Sequence, residues 1–154
     1  MRSRSVLGIA VAVGIVATGC SAPAAAPASP PPPPAPAKAV NATVTEFKIQ
    51  TDSTKVVAGE VTFTITNKGA TTHEFVILKT DLSPDALPKD ADGGVAEGGS
   101  IALVDEAEDI LPGTTKTLTV KVEPGKYTYI CNLAGHYAGG MRGGFEAVTV
   151  AATN

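Results

Sequence analysis

The sequence predicts an all-β domain, an antiparallel sandwich or barrel, over residues 40–154. Short runs in which apolar and polar residues alternate recur along this part of the chain, and no segment has a sustained helical repeat. Turn signals separate the runs, such as "NKG" at 67–69 and "PG" at 112–113 and 124–125. Many short strands joined by turns are typical of these two architectures.

Each predicted strand has residues that share one face. In chain order these residues are Thr43, Thr45, Phe47 and Ile49; then Val61, Phe63 and Ile65; the apolar run at 73–78; Leu118, Val120 and Val122; Tyr127, Tyr129 and Cys131; and the run at 145–150. We expect these faces to build the core, because alternate residues of a strand point to the same side of a sheet.

The first twenty residues have the pattern of a secretion signal. Arg2 and Arg4 precede an uncharged apolar run at 6–18, which is shorter than the roughly 20 residues of a membrane-spanning helix. The sequence "ATGC", ending at Cys20, resembles the lipobox of bacterial lipoproteins, although Ala17 stands where leucine is commoner. The resemblance implies lipidation of Cys20 and an extracytoplasmic protein anchored to the cell membrane. The alternative is an ordinary secreted protein that is cut nearby.

A spacer is predicted between this signal and the domain. Residues 21–39 hold eight of the twelve prolines of the chain. Proline lacks an amide proton and fixes its backbone, so the segment favours an extended polyproline conformation and cannot build a core. The domain is therefore expected to begin at residue 40.

The charge of the chain is acidic. Without Arg2 and Arg4, ten basic residues face fifteen acidic ones, which argues against nucleic acid as a partner. Residues 81–109 alone carry nine acids and one lysine, with two prolines and four glycines, so regular structure is not expected across most of this segment. It is either an acidic docking surface for a basic partner or a solvated surface excursion, and the second is commoner.

Three scarce residue types are evenly spaced in "CNLAGHYAGGM", which places Cys131, His136 and Met141 five residues apart. A step of five puts neighbours on different faces of a helix or of a strand, so the three side chains can converge only in a curled loop. The glycines between them allow such curvature at an entropic cost. A metal ion that bridges the side chains would offset this cost.

The inventory of soft and imidazole ligands supports a metal site. The chain has two histidines, His73 and His136; Met141 is its single methionine beyond the initiator, and Cys131 its single cysteine besides Cys20. If Cys20 carries lipid, Cys131 has no disulfide partner. Two imidazoles, a thiolate and a weak thioether ligand describe a blue-copper site, whereas a thioether is a poor zinc ligand. The sequence therefore predicts copper.

Two segments resemble the cupredoxin family. "YTYICNLAGHYAGGMRGGFEAVTV" at 127–150 is similar to the last strands and ligand loop of that family, and "ITNKGATTHEFVIL" at 65–78 has the form of its first ligand segment. The spacing in the loop is closest to that of the rusticyanin, auracyanin and plastocyanin-like members. The resemblance implies a Greek-key β-sandwich or barrel. It also implies that four residues bind one copper ion: His73, Cys131 and His136 in its equatorial plane, and Met141 on its axis.

The resemblance also implies a surface for electron exchange. His136 would be the electron port, rimmed by the apolar side of its loop, namely by Leu133, Ala134, Tyr137 and Ala138. Glu74 is a departure, since several members have asparagine directly after the first histidine, bonded across to the loop that carries the cysteine. The resemblance therefore does not imply that bond for Glu74.

The function expected from these residues is electron transfer by a monomer, between a redox protein donor and a redox protein acceptor. Copper storage or delivery is the alternative. An enzyme is disfavoured because two histidines cannot supply a multicopper cluster, Gly135 stands where a binuclear site needs a second cysteine, and Met141 fills the position that a substrate would take. An adhesion lipoprotein without metal is a fourth possibility.

Overall fold

The computed structural model describes residues 35–96 and 98–150. The predicted signal with Cys20 and most of the predicted spacer lie outside the described residues. Within them the chain forms strands and one turn of helix, which in order are β1 Ala39–Thr45, β2 Lys48–Thr51, β3 Lys55–Val57, β4 Gly59–Asn67, β5 His73–Lys79, β6 Ala102–Ile110, β7 Thr115–Val122, β8 Gly125–Ile130, α1 His136–Gly139 and β9 Arg142–Val148.

The strands form two sheets, which confirms the predicted all-β class. One sheet has the order β2-β1-β4-β7, and the other has the order β3-β9-β8-β5-β6. The expectation of wholly antiparallel pairing was wrong at two places, because β1 pairs with β4 and β3 with β9 in parallel. Parallel neighbours need a crossover connection. The stretch that contains β2 and β3 supplies it between β1 and β4.

The core lies between the sheets and is built from alternate residues. Val61, Phe63 and Ile65 of β4 are buried as predicted. The Phe63 ring contacts the rings of Phe75 and Phe145, with centroids 5.5 and 5.4 Å apart, so aromatic side chains from both sheets meet. Packing of this kind fixes the second sheet, which carries the ends of β5 and β8, against the first.

The prediction of one strand through residues 43–49 was wrong. The chain reverses at Glu46 and Phe47, since Thr45 of β1 pairs with Lys48 of β2. As a result β1 buries Val40, Ala42 and Val44 rather than the threonines. A two-residue hairpin loop usually contains Asn-Gly or Asp-Gly, which makes it recognisable in a sequence. Here Phe47 takes the left-handed conformation instead, with φ 61°.

The acidic segment is more ordered than its composition predicts. Its last part forms β6, an exposed edge strand that buries little besides Ala107 and Ile110. Charged residues are typical of edge strands, where they discourage further pairing, and they hide the alternation. The earlier part of the segment covers the outer face of the second sheet, where its apolar residues form a second core with those of the sheet: Val76, Leu78, Leu87, Val95, Ile101, Ile130 and Tyr137.

The chain enters the domain slightly before the predicted start. Ala37 already forms a parallel bridge with Val56, and its backbone bonds to Lys55 and Val57. The last residues of the predicted spacer therefore belong to the sandwich. In the described part of the chain, no helix has the length and apolar character needed to cross a membrane.

Candidate metal centre

Two histidines and a cysteine meet at one end of the second sheet. Nδ1 of His73 lies 3.3 Å from Nδ1 of His136, and Sγ of Cys131 lies 3.2 Å from the same nitrogen of His136. One ligand atom from each residue falls within 4.8 Å of the others. His73 and Cys131 are fully buried, and His136 is half-buried. This geometry is that of a site able to hold one metal ion.

Asn67 fixes the loop that leads to His73. His73 opens β5 and pairs in register with Ile110, the last residue of β6. The buried amide of Asn67 donates to the carbonyl oxygens of Thr71 and Ile110, each at 2.7 Å, and its Oδ1 accepts from the N–H of Gly69. One side chain therefore binds both the loop before His73 and the residue paired with His73 across the sheet.

The loop between β8 and β9 closes on itself around the other candidate ligands. The N–H of Cys131 donates to the carbonyl of Met141 at 3.1 Å, and the N–H of Met141 donates to the carbonyl of His136 at 3.0 Å. Gly135 precedes the helix with φ 76°, a conformation that residues with a Cβ disfavour. Met141 is fully buried in the same core cluster as Cys131.

The acidic segment supports this loop from outside. The N–H of Gly135 donates to the carbonyl of Asp92 at 2.8 Å. The N–H of Val95 donates to Oδ1 of Asn132, the residue after Cys131, at 2.6 Å. The segment therefore contributes backbone contacts to the candidate metal centre, in addition to any part its exposed charges play.

Known proteins share this sequence pattern and fold. The family model for the cupredoxin-like domain matches residues 10–141, well over half of the chain. The chain belongs to the cupredoxin family. No curated protein sequence matches this cupredoxin significantly.

Solved structures support the fold of this cupredoxin. Dithionite-reduced auracyanin from Roseiflexus castenholzii has a TM-score of 0.55 at 23% identity, over 74% of this chain and 99% of that chain. Auracyanin B has a TM-score of 0.51 at 20% identity, over 75% and 91%. Rusticyanin from Thiobacillus ferrooxidans has a TM-score of 0.50 at 19% identity, over 73% and 79%. These likenesses confirm the predicted cupredoxin-like sandwich.

Burial determines the acid–base character of the ligands. Burial raises the pKa of the Cys131 thiol, and hydrogen bonds from the N–H groups of Glu74 and Leu133 oppose that shift; the Glu74 nitrogen lies 3.3 Å from Sγ. Burial also lowers the pKa of the His73 imidazole, and nearby His136 lowers it further. The thiol of the metal-free site is thus protonated at neutral pH, and metal binding would release its proton.

Glu74 departs from the family pattern but still bonds to the loop that carries the cysteine. Its backbone N–H donates to Sγ of Cys131 at 3.3 Å. Burial raises the pKa of the Glu74 carboxyl, and the neighbouring Glu106 and Glu108 raise it further. A backbone bond therefore links Glu74 to this loop, in place of the side-chain bond of the family's asparagine.

Tyr137 was wrongly predicted to line the rim around His136. Its side chain is 2% exposed, because it lies on the inner side of α1 and packs into the second core. Its hydroxyl donates to the carbonyl of Pro84 at 2.9 Å and accepts from the N–H of Leu87 at 3.1 Å. Tyr137 therefore joins the ligand loop to the acidic segment.

The accessible rim includes a residue that the sequence placed elsewhere. Phe47 is 58% exposed, and its ring meets the His136 imidazole edge-on, with centroids 6.2 Å apart. The other predicted rim residues remain at least partly accessible, namely Leu133, Ala134 and Ala138. We call these four residues the apolar rim.

Glu46 is a second residue that sequence reasoning missed. Its Oε1 lies 3.7 Å from Nε2 of His73 and accepts from the N–H groups of Ala70 and Thr71 at 2.6 and 2.9 Å. Hydrogen bonds from its own N–H and from those of Ala70 and Thr71 lower the pKa of its carboxyl to about 2. Only the hairpin turn brings Glu46 to the metal centre, and that turn carries no local sequence signal.

Proposed function

We propose that this cupredoxin is a single-copper electron carrier with His73, Cys131, His136 and Met141 as its ligands. The observation that supports this most strongly is the convergence of two imidazole nitrogens and a thiol sulfur within 4.8 Å. A buried cluster of this kind is costly without a bound ion, because polar groups lose their hydration.

The donor set suits copper better than zinc. Imidazole and thiolate bind both metals, but the remaining candidate, buried Met141, offers a thioether, which copper accepts and zinc does not favour. Copper held there would supply a one-electron couple between Cu(I) and Cu(II). We expect no enzymatic activity, because two histidines in the whole chain cannot build an oxygen-reducing cluster.

The protein would hold its ligand atoms in one arrangement for both oxidation states. Asn67 fixes the approach to His73, and the hydrogen-bonded loop fixes Cys131 and His136. The N–H of Glu74 donates to the sulfur, which favours thiolate over thiol. Little rearrangement would then accompany the gain or loss of an electron.

Electrons would pass through His136 to redox proteins that dock on the apolar rim. His136 is the one partly accessible member of the three converging residues, and Phe47 lies against its ring. Apolar contact around it would exclude water, as in the core of other protein interfaces. We expect a monomer that meets a donor and an acceptor in turn at this surface.

We propose that Cys20 is lipidated and anchors the domain to the cell membrane, outside the cytoplasm. β1 begins at Ala39 and ends at Thr45, next to Glu46, which contacts His73. Seven residues of strand span roughly 20 Å. The described chain thus enters at the end of β1 remote from the metal centre, and the spacer predicted at 21–39 would separate this entry from the anchor.

Spectra of the copper-loaded full chain test the proposal. We expect an intense visible band from thiolate-to-copper charge transfer, lost in Cys131→Ser and kept in Cys20→Ser, which removes the other cysteine. A colourless copper-loaded protein would overturn the proposal. Rapid loss of copper to a weak chelator would indicate storage or delivery instead.

A further inference from the structure

Glu46 lies behind the metal-binding side of His73. Nδ1 of His73 faces His136, whereas its Nε2 faces Oε1 of Glu46 at 3.7 Å. The His73 side chain is fully buried, and its Nε2 has no hydrogen-bond partner among the described residues. A buried imidazole nitrogen without a partner is costly. Among the residues that the structure describes, Glu46 places its carboxylate within ion-pair distance of this nitrogen.

The carboxylate is held in place by the loop that leads to His73. Oε1 of Glu46 accepts from the N–H of Ala70 at 2.6 Å, and from the N–H and hydroxyl of Thr71 at 2.9 and 3.2 Å. A Cβ at Gly69 would lie 2.6 Å from the same oxygen, so the loop closes tightly around it. The carboxylate is thus fixed to the segment that presents the first ligand.

The turn that carries Glu46 is fixed on its other side. The neighbouring Phe47 packs its ring against His136. A Cβ at Gly139 would overlap that ring, and a Cβ at Gly140 would lie 3.0 Å from the carbonyl oxygen of Phe47. The two-residue turn therefore contacts both histidines from outside, through the carboxylate of Glu46 and the ring of Phe47.

We propose that Glu46 is a positioning residue of the metal centre, whose carboxylate keeps the Nδ1 of His73 turned toward Cys131 and His136 and favours the oxidised form of the bound metal. This inference rests on the proposed copper site. An anionic oxygen behind a ligating histidine favours the tautomer with its proton on the outer nitrogen, and makes the inner nitrogen more basic. Its negative charge also stabilises Cu(II) more than Cu(I), which lowers the reduction potential.

Glu46→Gln separates the charge from the contacts. The amide keeps an oxygen for the N–H groups of Ala70 and Thr71 and loses the negative charge. Changes behind a metal ligand typically alter metal affinity by about 10–100-fold, and the Glu46 side chain is 40% exposed, so screening places the effect at the low end. We expect the affinity for Cu(II) to fall about tenfold relative to the affinity for Cu(I). This change raises the reduction potential by about 59 mV for one electron.

Glu60→Gln is the matched control. Glu60 is an exposed carboxylate near the start of β4, whose other end leads to the loop before His73, and its loss changes the net charge equally. We expect the copper-loaded Glu60→Gln variant to have the same reduction potential as the unaltered protein. An equal rise in Glu60→Gln and Glu46→Gln, or no rise in Glu46→Gln, would overturn the proposal.

Nitrogen NMR of the metal-free full chain provides a readout that does not need copper. We expect the ring proton of His73 on Nε2 in the unaltered protein, and a smaller fraction of that tautomer in Glu46→Ala. A proton on Nδ1 in the unaltered protein, or an unchanged tautomer in a folded Glu46→Ala variant, would contradict the inference. If the chain binds no copper, the proposed function fails, and the metal-free spectrum alone decides the role of Glu46.

Discussion

The side-chain nitrogen of Asn67 donates a hydrogen bond of 2.7 Å to the carbonyl oxygen of Ile110, the residue paired across the sheet with His73. Asn67 ends β4 in one sheet, whereas Ile110 ends β6 in the other. The position of the first candidate ligand thus depends on a bond between the two sheets, in addition to the pairing of its own strand.

Replacement of Asn67 by alanine tests this dependence. Asn67→Ala leaves the buried carbonyl oxygen of Ile110 without its partner, and an unsatisfied buried group costs about 1–3 kcal/mol. The substitution also removes the partly exposed bonds to Thr71 and Gly69, which water can replace. We expect the free energy of unfolding in urea to fall by about 1–3 kcal/mol.

Thr66→Ala, one residue earlier, is the control for Asn67→Ala. It removes an exposed hydroxyl pair with Thr115, so its loss should be well under 1 kcal/mol. Equal stabilities of the two variants would show that Asn67 does not hold the loop.

The hydroxyl of Tyr137 should stabilise the ligand loop. Tyr137→Phe removes its bonds to Pro84 and Leu87 from a buried site, which should lower the free energy of unfolding by about 1–3 kcal/mol. Tyr127→Phe makes the same chemical change at Glu123, outside the ligand loop. The electron paramagnetic resonance spectrum of the copper-loaded protein should change in Tyr137→Phe and stay unchanged in Tyr127→Phe.

Identical spectra for the two variants would contradict the prediction that Tyr137 supports the ligand loop.

The sandwich was predictable wherever one face of a strand is buried. Val61, Phe63 and Ile65 alternate with threonines, and the structure buries these three as predicted. The continuous apolar run of β5 is explained by burial on both faces, since Phe75 and Ile77 enter the main core and Val76 and Leu78 the second. Alternation could not reveal β6, because an edge strand buries too few side chains.

The candidate site was predictable from scarcity and spacing, whereas its surroundings were not. Few histidines, cysteines and methionines are available, so the choice of His73, Cys131 and His136 needed no knowledge of the fold, and the structure brings these three together. Glu46 and Phe47 reach the site through a hairpin turn with unremarkable sequence. Their roles depend on tertiary packing, which local patterns do not encode.

The contribution of Glu46 to stability should depend on pH. Its carboxyl pKa falls from the ordinary value of 4.5 to about 2 in the folded protein, because backbone N–H groups bond to the ionised form. This stabilisation is complete above pH 4.5 and is lost as the pH falls through about 2. In metal-free protein, the difference in Tm between the unaltered chain and Glu46→Gln should be constant from pH 7 to about 5 and shrink below it. A difference that stays constant down to pH 2 would contradict the assignment.

A charge placed in the apolar rim should slow electron exchange without altering the metal centre. Ala138 is exposed in the loop of His136, and Ala138→Asp would force a carboxylate to lose water whenever an apolar surface docks there. Desolvation of about 1.4 kcal/mol already reduces binding tenfold. We therefore expect electron exchange with a gold electrode coated with methyl-terminated alkanethiol to be at least about tenfold slower, and the visible spectrum to be unchanged.

Ala102→Asp is the control, because it adds the same charge at the exposed start of β6, opposite the far end of β5. This variant should exchange electrons at the rate of the unaltered protein. Equal slowing by both variants would assign the effect to net charge and not to the surface around His136.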